Sequence, residues 1–102
     1  MSQNNSNSIN DFVRDLIKSR GLDQLDYEVV VQLKADLLDR VENRINAAIL
    51  VNMPPEKIEY FEKLLDQSSP EEAQSFCRRN IYDLERIIAI ELAKFRSAYL
   101  NV

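Results

Sequence analysis

Apolar residues recur every three to four positions along most of this chain, and the recurrence divides it into helices. Ile9, Phe12, Val13, Leu16 and Ile17 form one stripe at helical spacing. Ser8 precedes that stripe, with Asp11 three residues further on, a pairing that predicts the helix start. Residues 1–7, all polar after Met1, are expected to be a flexible tail ahead of a helical domain over 8–102. Lys18 and Arg20 suit the negative end of the first helix. Gly21 supplies a left-handed residue to stop it, and Leu22 is placed to pack back on it.

The longest periodic segment predicts a helix over 27–52, with Asp26 as its cap and Glu28 complementing its dipole. Tyr27, Val31, Leu38, Val41, Ile45 and Ala48 line one face, widened by Val30, Leu33 and Leu37. Lys34 interrupts that face, and its stem is expected to lie along the apolar surface while the ammonium reaches water. At 1.5 Å per residue such a helix is about 39 Å long, long enough to be the central helix of a small domain.

The run Ala47-Ala48-Ile49-Leu50-Val51 is apolar on every side, and Pro54-Pro55 ends it because proline lacks the amide and clashes with the preceding turn. Ile45, Ala48 and Ile49 face the expected core. Leu50 points nearly opposite, beside Ala47 and Val51. Two readings stand for that side: packing against other helices of the same domain, or a surface kept for a partner.

Pro55 begins the next segment, running to Gln67 with Ile58, Phe61, Leu64 and Leu65 inward. Ser69-Pro70-Glu71-Glu72 has the spacing of a capping box, and Ala73, Phe76 and Cys77 face inward from the helix it opens. Asp83 is expected to cap a last helix running to Tyr99, whose stripe is Leu84, Ile87, Ile88, Leu92, Phe95 and Tyr99. Ile90 lies off that stripe and is a second candidate for a partner-facing side chain. The fold class expected is all-α, a compact single-domain bundle of about five helices.

Composition narrows the chemistry. The chain has 102 residues, one Gly and three Pro, too few turn-formers for a β-rich fold. Its net charge is −4, shared by both halves, so no block is basic enough to neutralise a nucleic-acid backbone or an anionic membrane. Arg78-Arg79 with Tyr82 is the one local basic cluster. It reads as a weak candidate anion contact against favourable cation placement at a helix end.

Histidine is absent and Cys77 is the single cysteine, so His-dependent catalysis, zinc ligation and intrachain disulfides have no residues to work with. Cys77 is expected to be a small core residue. Gly21 is the single glycine, so no phosphate-cradling loop can be drawn. Asp36, Asp39 and Glu42 follow at spacing three, but Arg40 and Lys34 lie close enough to make them an ion-paired face and not a metal site. No catalytic residue, metal ligand or cofactor is therefore expected. No apolar run approaches the ~18 residues of a membrane span, and MSQNNSNS has no signal-peptide pattern, which together predict a cytoplasmic protein.

The segments LKADLLDRVENRINAAIL, MPPEKIEYFEKLLD and FCRRNIYDLERIIAIELAKFRSAYL carry a further signal. In that order they resemble an uncharacterised family of small acidic all-helical domains associated with candidate-phyla-radiation bacteria, over roughly Leu22 to Leu100. The resemblance implies a helical fold, and no activity, cofactor or site residue carries over from it. The function expected is a non-enzymatic protein–protein interaction module with Ala47, Leu50, Val51 and Ile90 as candidate partner surface. The alternative is a homo-oligomeric structural protein. A carboxylate and magnesium-dependent enzyme and a nucleic-acid accessory role through Arg78 and Arg79 rank behind both.

Overall fold

The computed structural model describes residues 5–101, with side chains described from Ile9 onward. It is all-α: helices α1 (Asn5–Ser19), α2 (Tyr27–Asn52), α3 (Ile58–Gln67), α4 (Pro70–Asn80) and α5 (Leu84–Leu100), with no strand among the described residues. Single 3-10 turns at Leu22–Gln24 and Pro55–Lys57 precede α2 and α3. The described residues fall into two compact units. One holds the residues up to Arg44 and those from Leu92 on; the other holds Ile45–Glu91. Helices α2 and α5 each contribute residues to both.

Helix α1 starts at Asn5, earlier than predicted, so Ser8 lies within the helix and is not its cap. Of the expected tail, residues 5–7 are helical and residues 1–4 fall outside the described residues. Extending a helix adds one hydrogen bond per residue once a nucleus exists, and the buried Val13, Leu16 and Ile17 supply the anchor. The helix stops as expected: the Gly21 amide donates to the Lys18 carbonyl at 2.9 Å, and Gly21 holds φ 70°. A Cβ there would meet nothing within 4 Å, so the cost of a side chain is purely conformational. Gly21→Ala is expected to destabilise the protein by about 1 kcal/mol, with Gly21→Asn costing less, as urea titration will measure.

Within the first unit, α1, α2 and α5 share an apolar core of Val13, Leu16, Ile17, Leu37, Val41 and Phe95. The Phe95 ring lies 6.4 Å from Phe12 and 6.3 Å from Tyr99. Arg20 lies over the Tyr99 ring at 5.0 Å and donates to the Tyr99 carbonyl, while Arg40 lies over Phe95 at 5.5 Å. Both guanidinium groups thus cover aromatic faces while staying in contact with water.

The second unit is built on the α3–α4 hairpin. Ser69 accepts from the Glu72 amide at 3.2 Å while the Glu72 carboxylate accepts from the Ser69 amide at 3.4 Å, which is the predicted capping box. Phe61, Ala73, Phe76, Cys77, Ile81 and Leu84 are buried, joined by Ile45, Ile49 and Met53. Leu65, expected inward, is instead half exposed, at the edge of a helix only 10 residues long. Helices α2 and α4 end alike: the Asn52 and Asn80 side-chain amides each donate at 2.8 Å to the carbonyl four residues back. The next residue, Met53 or Ile81, is buried, which pins the chain as it leaves the helix. Asp83 stands directly before α5 as expected, its carbonyl accepting from the Arg86 and Ile87 amides. Its φ of 59° is a left-handed conformation that aspartate tolerates better than most side chains.

Helix α2 spans the predicted residues, and the four it buries were all expected inward. Its buried residues are Leu37, Val41, Ile45 and Ile49, four apart, so the seam advances about 40° per step around the helix. Tyr27 and Val31, predicted inward, are 82% and 44% exposed. Eighteen residues make about five turns, so Tyr27 points the same way as Ile45, and Val31 the same way as Ile49. Identical directions are buried near one end and open near the other, because the neighbouring elements change along the helix.

Candidate functional sites

The side chains singled out as partner surface are exposed. On α2, Ala47, Leu50 and Val51 stand at spacing three and four and share one helix face. Leu50 is 37% exposed and Val51 83%. Packing within the chain therefore leaves this side of the helix end open. On α5, Ile90 is 44% exposed, off the inner stripe as expected. The second unit also exposes Tyr60, Leu65 and Tyr82. Large apolar side chains are thus left in water on several of its helices.

The Arg78-Arg79 pair is divided. Nε of Arg78 donates to the Glu85 carboxylate at 3.1 Å, so much of its charge is already answered. Arg79 is exposed and lies in the last turn of α4, where a cation complements the helix dipole. Tyr82 is 93% exposed. On α2, Asp36 pairs with Arg40 at 3.6 Å and Asp39 accepts from the Asn43 amide at 3.5 Å. Among the described residues no three potential ligand side chains gather so as to hold a metal ion.

No polar or charged side chain is buried among the described residues. Cys77 is buried, and desolvation pushes its thiol above its ordinary pKa. A thiolate is therefore disfavoured there, and the residue behaves as a small hydrophobe, as predicted.

The structure also assembles a feature that the sequence does not group. In the first unit a surface groove of about 430 Å³ lies between the last turns of α1 and the start of α2. Ile17, Val30 and Val31 form its apolar part, Tyr27 stands at its edge, and Arg14, Lys18 and Lys34 surround it. Arg14 and Lys18 share a face of α1 at spacing four, whereas Lys34 arrives from α2, further along the chain. The available signal in sequence was Lys34 itself, a cation on an otherwise apolar face. Lys34 is half-buried and its stem runs beside the groove, in keeping with the expected snorkelling.

A family model described as "Protein of unknown function (DUF5663)" matches residues 16–99. No curated protein and no solved structure matches the chain. No helix among the described residues is long and apolar enough to cross a membrane.

Proposed function

The chain belongs to the DUF5663 family, and from that premise we propose that it is a non-enzymatic helical module of the cytoplasm that works by binding another protein. The observation that carries the reading is the open apolar face at the end of α2, where Ala47, Leu50 and Val51 remain exposed. Covering Leu50 and Val51 with a partner would remove apolar area from water, which is where an interface core draws most of its affinity. Elsewhere exposed helix faces carry ion pairs such as Arg40–Asp36 and Arg78–Glu85. An origin in candidate-phyla-radiation bacteria belongs to the same proposal, and the genome that encodes the chain tests it.

Leu50→Asp is expected to leave the helical circular dichroism and melting temperature nearly unchanged while removing a protein captured from native lysate by the unaltered chain. Unfolding of the variant would show that Leu50 is core and sink this reading. A second reading, self-association through the same face, is favoured by the number of large apolar side chains left open on the second unit. Light scattering separates the two: a mass that stays at 11.9 kDa as concentration rises excludes the homo-oligomer.

A further inference from the structure

We infer that the groove between α1 and the start of α2 docks an acidic amphipathic helix of a protein partner. The inference rests on the reading of the chain as a protein-binding module but concerns a different face, one that lies wholly within the first unit. Its floor is apolar for a stated reason. Tyr27 and Val31 continue directions that are buried at Ile45 and Ile49, yet they stay 82% and 44% exposed. A side chain placed against Val31 and Ile17 would complete the face that α2 leaves unfinished.

Charge selects the occupant. Arg14, Lys18 and Lys34 line the groove against a single acid, Asp23, in a chain of net charge −4. Arg14 is shared with Asp11 at 2.9 Å, but no ion pair among the described residues engages Lys18 or Lys34. Two free ammonium groups beside an apolar floor match a helix with leucine or phenylalanine on one side and glutamates flanking it. A small ligand is a poorer match, because the groove is open to water and Tyr27 is 82% exposed, whereas small-molecule pockets enclose most of their ligand. An extended anionic surface would reach past the groove to the acidic remainder of the chain, whereas a single helix seated on the lining meets mainly its three cations.

The test uses the full chain and two labelled synthetic helical peptides, one alternating leucine with glutamate at helical spacing and one with lysine in place of every glutamate. Fluorescence anisotropy is expected to show binding of the acidic peptide, weakened by added salt, with the lysine peptide at least ten-fold weaker. Lys18→Glu combined with Lys34→Glu should lower the acidic peptide's affinity at least ten-fold, and Val31→Asp should do so separately. Leu50→Asp should leave it unchanged, so failure of this inference is distinct from failure of the α2-end surface. Should the double variant not fold, Lys18→Gln alone is read for a smaller loss in the same direction.

The inference is overturned if neither peptide binds, if both bind equally, or if the groove variants bind as the unaltered chain does. It is also overturned if the groove cations govern something else. That would show either as sedimentation with phosphatidylglycerol vesicles in the absence of peptide binding, or as a dimer in light scattering that the double variant dissociates.

Discussion

Phe76→Ala is expected to destabilise the second unit by about 3–5 kcal/mol, the cost of removing a buried aromatic ring and leaving its cavity. Phe76 is 5% exposed and packs α4 against the aromatic rings of α3. Its ring stacks on Phe61 at 6.3 Å and meets Tyr60 in a tilted contact at 5.1 Å. Truncation removes both ring contacts together with the apolar burial. Small domains are stable by about 5–15 kcal/mol in total, so this loss takes a large share of what holds the fold. At roughly 4–8 °C per kcal/mol, the thermal midpoint should fall by about 12 °C or more. Phe76→Leu should lose distinctly less, since it keeps much of the volume. A shift below about 1 kcal/mol for the alanine variant would mean that Phe76 is not core.

Cys77 in the folded protein is expected to react with a thiol reagent at pH 8 roughly a thousandfold or more slowly than in urea. It is 3% exposed, and burial raises its pKa, so access and ionisation both require opening of the second unit. Linkage gives the accompanying pH dependence. The folded thiol holds its proton at a pH where the unfolded thiol, near 8.5, has released it. The folded state then binds more protons, so the Cys77 contribution to stability falls as pH rises above the unfolded value. The slope is at most about 1.4 kcal/mol per pH unit. Unfolding titrations of the natural chain and of Cys77→Ala between pH 7 and pH 10 should diverge with that sign. Equal labelling rates in native buffer and urea would show that the thiol is not enclosed.

What was legible in the sequence is what adjacent residues decide among themselves. Gly21, Ser69 with Glu72, and Pro54-Pro55 act through backbone conformation and bonds spanning a few positions, and the helix ends fall where they direct. Short helices facing one neighbour were also legible: Ala73, Phe76 and Cys77 on α4 are buried as their spacing predicts. The start of α1 was not legible, because the polar residues 5–7 extend a helix anchored further along the chain.

Burial on the long helix could not be read in the same way. Periodicity tells which side chains share a direction, and Tyr27 and Ile45 do. Whether that direction meets another element depends on residues remote in the chain, and it does so for Ile45 but not for Tyr27. The cationic groove has the same origin, because Lys34 joins Arg14 and Lys18 through packing and not through spacing. The all-α fold, the five helices and the boundaries of α2 were determined by the sequence alone, since propensity, capping and proline act locally. Which end of α2 is covered, and that three cations meet in an acidic chain, were decided only in the tertiary structure, where contacts between distant segments settle what water can reach.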